Sequence, residues 1–168
     1  MEPSEAAKNA IKYVLDAAPN ERLAVVCDSE SLAVGRAFVD GGLSQDLWTR
    51  FVVLDGGDRV RTEIPREVSD MVVSGSSDIY ITIFRESVNE TPFRVKIINL
   101  INRYKKYRLG HCPGISMDML TQGALALSAE EHMELQSSAR KLLASLLGAK
   151  SVRVTSPNGT DISFSLEG

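Results

Sequence analysis

The chain of 168 residues is long enough for one domain with a substantial core, and its 43% hydrophobic and 24% charged residues are typical of a globular protein. A formal net charge of −3 argues against a nucleic-acid-binding protein, because such domains usually carry a basic surplus. No apolar run approaches the ~18 residues that cross a bilayer, and the N-terminus lacks a secretory signal pattern, so we expect a cytoplasmic protein without a membrane segment.

The first two thirds of the chain alternate predicted helices with short apolar strands. Helical spacing of apolar residues predicts helices over 4–18, 31–40, 64–73 and 91–107, the last opened by Thr91-Pro92. Apolar runs predict strands over 23–27, 48–54, 79–84 and 109–112. This alternation predicts an α/β fold of the Rossmann-like three-layer type, with a mostly parallel sheet and helices on both faces.

The last third of the chain has a different order of predicted elements, two helices followed by two strands. A short helix is predicted over 116–123 and a longer one over 128–147, whose apolar stripe includes Leu135, Leu142 and Leu146. Apolar and polar residues then alternate on both sides of a turn at 156–159, which predicts a β-hairpin. We therefore divide the chain into an α/β domain over 1–148 and a hairpin over 149–168. The hairpin either adds an antiparallel edge to the sheet or, as we favour, begins a second domain.

Three predicted strands end in polar groups, where ligands of open α/β sheets bind. Asp28 follows the first strand, Asp55 the second, and Glu86 the third. Asp28 and Asp55 could together hold a hard cation, or both could simply be turn and helix-capping residues. The sequence carries no glycine-rich or Walker-type phosphate-binding motif, and no His-Glu-x-x-His or Cys-x-x-Cys ligand pair, so we predict no metal or catalytic residue in this chain.

His111 and Cys112 stand together at the end of the fourth predicted strand. Neighbouring side chains on a strand point to opposite faces, so this pair is not expected to act as a catalytic Cys-His couple. A loop-structural role and a substrate-facing role both stay open. Cys27 ends an apolar strand and is expected to be a buried structural thiol.

From residue 108 onward the sequence resembles a known family of enzymes. The segment Arg-Leu-Gly-His-Cys-Pro-Gly-Ile at 108–115, the helices 117–125 and 130–147, and the passage 152–164 are similar to the N-terminal domain of aminopeptidase T-like metallopeptidases, the thermophilic leucyl aminopeptidase group. The pattern of that family, strand then Thr-x-Pro-x-Gly-Thr-Asp then strand, is matched at Thr155, Pro157, Gly159, Thr160 and Asp161.

The resemblance implies removal of N-terminal residues from peptides by a pair of divalent metal ions such as zinc or cobalt. In the family the metal ligands come from a C-terminal catalytic domain, and no ligand motif falls on this sequence. The expectation is an N-terminal domain that is inactive alone, with the metal-binding half absent. Its partners would be the catalytic domain, a peptide substrate and a second copy in a homodimer.

Residues Asp28, Glu86, His111 and Cys112 would then wall one side of the substrate cleft. Ring-opening dioxygenases share the downstream scaffold, so the activity of the parent protein is open. The alternative is a stand-alone α/β ligand-binding or signalling module with Asp28 and Asp55 at its strand-end edge.

Overall fold

A central strand of seven residues, β1 (Arg22–Asp28), organises the fold of the chain. The computed structural model describes residues 1–55 and 60–167. Six consecutive residues of β1, 23–28, are buried, because neighbouring strands and helices cover both its edges and both its faces. A run of small and β-branched apolar residues is the composition expected for such a strand.

The main sheet has four parallel strands in the order β2–β1–β3–β4. The other members are β2 (Trp48–Leu54), β3 (Ile79–Ile83) and β4 (Arg108–His111). β1 pairs with β2 from Arg22↔Trp48 and with β3 from Leu23↔Ile79. β4 pairs with the outer side of β3, where Thr82 lies opposite His111. The order reverses between β1 and β3, which makes that junction the topological switch point.

One face of the sheet is covered by α1 (Pro3–Tyr13), α2 (Leu32–Leu43) and the short α5 (Met117–Thr121). Their buried side chains pack on alternate residues of β1 and β3, including Leu23, Val25, Ile79 and Ile81. The first helix ends five residues before its predicted end. Asp16 has a φ of 50°, and a positive φ of this kind is incompatible with continuing the helix.

The other face is covered by α3 (Arg66–Val73) and α4 (Thr91–Asn102). The buried stripe of α4 consists of Phe93, Ile97 and Ile101, whereas Val95 on the same helix is 47% exposed. The predicted helix over 91–107 also ends early. Tyr107 forms a turn with Tyr104 and packs its ring 5.3 Å from that of Tyr80.

The chain divides into two compact units, Met1–Ala129 and Glu130–Gly168. The second contains α6 (Ala129–Leu146) and a separate two-stranded antiparallel sheet of β5 (Ser151–Thr155) and β6 (Asp161–Ser165). The predicted boundary at 148 comes after α6 in the sequence, whereas the division into compact units comes before it. The domain division stays a prediction.

The predicted fold class is confirmed by the parallel four-stranded sheet, its two helical layers and the C-terminal hairpin. The apolar stripe of α6 is the exception to the predicted core, since Leu142 is 63% exposed and Leu135 56%. In the described part of the chain, no helix combines the length and hydropathy that a membrane span needs.

Candidate functional site

The switch point between β1 and β3 is where open α/β sheets usually bind their ligands. Here Asp28 closes β1 at this point, and Arg85 follows β3. The backbone N–H of Arg85 donates a hydrogen bond of 2.7 Å to Oδ2 of Asp28. The two strand ends are therefore tied together by the carboxylate that the sequence singled out.

The side chain of Arg61 fills the crevice at the switch point. Its Nη1 and Nη2 donate to the two carboxylate oxygens of Asp28, with an Nη2–Oδ2 distance of 3.0 Å. Nη2 and Nε donate to Glu90 at 2.7 and 3.2 Å. The guanidinium carbon lies 4.9 Å from the ring centroid of Phe93 and 5.5 Å from that of Phe84, the geometry of a cation–π contact.

A second guanidinium completes the network. Nη2 of Arg85 donates to Oε1 of Glu90 at 2.7 Å, and its Nη1 lies 3.7 Å from Glu30. The side chains of Asp28 and Glu90 are wholly buried, while those of Arg61 and Arg85 are 14% and 19% exposed. Two buried carboxylates are thus matched by two arginines, as buried charges require.

The pKa values reflect this pairing. Burial raises the pKa of Glu90, but the hydrogen bonds from Arg61 and Arg85 outweigh it and lower the pKa to about 2. Burial lowers the pKa of Arg61, and its bonds to Asp28 and Glu90 outweigh that effect and raise it well above its ordinary value. Glu90 and Arg61 are therefore held in their charged forms at neutral pH.

This geometry disfavours a cation site built on Asp28 and Asp55. Arg61 and the Arg85 amide already engage both oxygens of Asp28, which is fully buried and unable to face a substrate. Asp55 is exposed just beyond β2, and residues 56–59, which follow it, lie outside the described residues. Within 1–55 and 60–167, no group of three or more His, Cys, Asp or Glu side chains is arranged to hold a metal.

His111 lies one strand further along the same edge. Its Nδ1 is 2.7 Å from the hydroxyl oxygen of Thr82 across the β3–β4 pair, and its ring meets Phe84 edge-on at 6.1 Å. Burial, together with the positive charge of Arg94, lowers the pKa of His111. The imidazole is consequently neutral at neutral pH, with one ring nitrogen fixed by Thr82.

Cys112 points to the opposite face of the sheet from His111. Its side chain packs against the α1–α2 face, whereas His111 contacts Phe84 on the α3–α4 face. Burial raises the pKa of the Cys112 thiol, which keeps the thiol protonated. His111 and Cys112 thus lie on opposite faces of the sheet, as strand alternation predicts, and form no catalytic couple.

Glu86 is exposed beside the loop that follows β4. Gly114 has a φ of +67°, its N–H donates to the Phe84 carbonyl at 2.8 Å, and a Cβ placed on it would lie 3.0 Å from Cβ of Glu86. Only glycine allows this conformation and this close approach together. The structure thus brings Glu86, His111 and Cys112 to the same edge of the sheet. The Cys112 side chain lies on the opposite face of the sheet from that of His111.

Sequence reasoning missed Arg61 and Glu90. One feature of the sequence could have indicated a buried arginine. Asp28 ends a strand that is buried on both faces, and a buried carboxylate needs a cation beside it. Nothing local identified Arg61 as that cation, because it belongs to the segment after β2 and is 33 residues away from Asp28.

Comparison with known proteins finds similarity at the level of solved structures. No family model matches the sequence, and the curated proteins contain no match to it. Among solved structures, the chain is similar to wild-type AmpT, an aminopeptidase T, from Thermus thermophilus, with a TM-score of 0.55 and 12% sequence identity. The match covers 98% of this chain and 53% of AmpT, so the chain spans about half the length of that protein. At this identity the likeness shows a shared fold.

Proposed function

We propose that this chain is the α/β domain of an aminopeptidase T-like protein, and that it walls a peptide-substrate cleft whose metal-binding half another domain supplies. The observation that carries the proposal is the extent of the AmpT match, which takes in 98% of this chain and 53% of AmpT. A fold shared along nearly the whole chain fits a domain that corresponds to one part of the larger enzyme.

The sequence of the second unit gives independent support. Thr155, Pro157, Gly159, Thr160 and Asp161 match the family pattern, and they fall on the β5–β6 hairpin as that pattern requires. Arg153 makes a bidentate ion pair with Asp161, both bonds 2.7 Å long, which fixes the register of the hairpin.

The proposed cleft wall is the edge formed by Glu86 and His111. The exposed carboxylate of Glu86 suits the protonated α-amine of a peptide. The neutral imidazole of His111, steadied by Thr82, suits hydrogen bonding to a peptide group. Asp28 does not belong to the proposed cleft wall, because its side chain is buried. Cys112 contributes apolar surface on the α1–α2 face of the sheet.

A ligand-binding module centred on the switch point is the competing function. It would need Asp28 to be available, and Arg61 engages both of its oxygens within a charge-balanced network. This network supports a structural role for the switch point, and the proposal assigns the substrate-facing role to the β3–β4 edge.

An activity assay tests the proposal. The chain is incubated with leucine p-nitroanilide and Zn²⁺ or Co²⁺, with and without 1,10-phenanthroline. We expect no chelator-sensitive hydrolysis, since the proposal assigns the metal ions to another domain. Chelator-sensitive turnover by this chain alone would overturn the proposal.

A further inference from the structure

A cavity of about 460 Å³ lies at the amino ends of the first three strands of the sheet. Its lining includes Arg22 at the start of β1, Trp48 and Arg50 at the start of β2, and Ser77 just before β3. The volume lies in the range of roughly 300–1,000 Å³ that is usual for small-molecule sites. Because the strands are parallel, this cavity is at the opposite end of the sheet from the switch point and the proposed peptide-binding edge.

The indole of Trp48 forms an exposed wall of this cavity. Trp48, Arg50 and Val52 alternate along β2 and therefore share one side of the sheet. Val52 is buried in the core beneath α3 and α4, whereas Trp48 is 71% exposed, although tryptophan is highly buried on average. An indole that is open to solvent offers a flat surface on which another planar ring can stack.

The guanidinium of Arg50 supplies a positive charge beside this indole. Among the residues described in the structure, none forms a hydrogen bond or an ion pair with it. Arg50 follows Trp48 by two residues, which is about 7 Å along a strand. A guanidinium binds a carboxylate or a phosphate through two parallel N–H bonds. The indole and the cation are therefore close enough to engage one small ligand together.

The charges around the cavity favour an anionic ligand. None of the described residues that line it is acidic. The neighbouring carboxylate of Asp78 is engaged by Arg22, whose Nε and Nη2 donate to it at 3.0 and 2.7 Å and whose backbone N–H donates at 3.0 Å. That ion pair balances the charge of Arg22 and leaves its Nη1 outside the pair. The charge of Arg50 is not balanced in this way, so the cavity attracts an anion.

We propose that this cavity binds a small anion that carries a planar ring, either an aryl carboxylate or a nucleoside monophosphate. The ring stacks on Trp48 and the anionic group pairs with Arg50. Arg22 lies opposite Trp48 in the β1–β2 register, and its Nη1 adds a donor to the site. The inference does not depend on the proposed peptide-cleft function, because it uses residues at the other end of the sheet.

Trp48 reports on its own site, because it is the one tryptophan of the sequence. The indole N–H signal of the ¹⁵N-labelled chain is followed by NMR during titration with indole-3-acetate and its neutral partner indole-3-acetamide, and with adenosine monophosphate and its neutral partner adenosine. We expect a saturable shift with at least one of the two anions, and a dissociation constant about tenfold higher for its neutral partner. Saturation by the monophosphate alone identifies a phosphate ligand, and saturation by indole-3-acetate alone identifies a carboxylate.

Two variants separate the roles of the indole and the cation. Arg50→Gln keeps the indole signal and should remove the preference for the anion over its neutral partner. Arg66→Gln is the matched control, because the Arg66 side chain is 93% exposed and lies outside the cavity. Trp48→Leu, followed through the backbone amide signals of Thr49 and Arg50, should weaken binding of the anion and of its neutral partner alike. The dispersion of the amide spectrum shows that each variant is folded.

The absence of a saturable indole shift with both anions overturns the proposal. Equal affinity for each anion and its neutral partner also overturns it, and so does a preference for the anion that persists in the folded Arg50→Gln variant. None of these outcomes changes the leucine p-nitroanilide result, so the two proposals fail separately.

Discussion

The guanidinium of Arg61 lies against the carboxylate of Asp28 at the carboxyl end of the central strand, with the two side chains 14% and 0% exposed. The pair occupies the crevice in which sheets of this topology usually bind ligands. In this chain the carboxylate at the switch point is paired with Arg61 from the same chain.

Replacing Arg61 tests the structural role of the network. Arg61→Ala leaves Asp28 and Glu90 buried without this cation, so we expect it to lower the free energy of unfolding by about 3–5 kcal/mol. Urea unfolding at pH 7 measures the loss. Arg66→Ala is the matched control, because the Arg66 side chain is 93% exposed and its pair with Asp70 contributes only about 0–1 kcal/mol. Equal losses in the two variants would show that the buried network does not stabilise the fold.

Acid should weaken the fold through Glu90. Its pKa is lowered from 4.5 to about 2, since the bonds from Arg61 and Arg85 outweigh the effect of burial. A carboxyl with a depressed folded-state pKa stabilises the fold above its unfolded pKa and loses that contribution as pH falls. We therefore expect its contribution, on the order of 3 kcal/mol, to be lost progressively below about pH 5 as the pH falls toward 2.

Urea unfolding at pH 6, 4.5 and 3 measures this dependence. Glu90→Gln should be less stable at pH 6 and should lose less stability than the wild type between pH 6 and 3. Parallel pH profiles for the two proteins would show that Glu90 is not the group responsible.

The pKa of His111 should lie below the ordinary value, because burial and the charge of Arg94 both disfavour the imidazolium. An NMR titration of the ring protons gives the midpoint. Arg94→Gln should raise the pKa of His111, whereas Arg94→Lys keeps the positive charge and should leave it lowered. A midpoint at or above the value of a histidine in a model peptide would contradict the described environment of the ring.

The buried stripe of α4 gives a packing test. Ile97 is fully buried and Val95 is 47% exposed, although both lie on the same helix. Ile97→Ala should cost about 2–5 kcal/mol of unfolding free energy, by lost burial and a residual cavity. Val95→Ala should cost under about 1 kcal/mol. A larger cost for Val95→Ala than for Ile97→Ala would mean that α4 buries the face carrying Val95, contrary to the structure.

The sheet could be predicted from the sequence because its strands are apolar runs separated by amphipathic helices, and local pattern alone specifies that alternation. The exposure of the apolar side of α6 could not be predicted. Periodicity identifies the apolar side of a helix, as it did for Leu135 and Leu142, but does not say what covers that side.

The candidate site was predictable only in part. Glu86, His111 and Cys112 could be placed at the strand ends because parallel strands bring their carboxyl ends to one edge. The opposite orientations of His111 and Cys112 followed from strand alternation. The burial of Asp28 did not follow, because it depends on Arg61 and Glu90, which belong to segments distant in sequence.

We propose that the β3–β4 edge binds the N-terminal end of a peptide. The direct measurement is an NMR titration of the ¹⁵N-labelled chain with Leu-Gly-Gly, with N-acetyl-Leu-Gly-Gly as the ligand control. We expect saturable amide shifts around Glu86 and His111 with a dissociation constant of about 1–10 mM. They should weaken with the acetylated peptide and with Glu86→Gln, but not with Glu67→Gln, which removes another exposed carboxylate. Shifts that cluster elsewhere, or that are the same for both peptides, would contradict binding of the peptide α-amine at this edge.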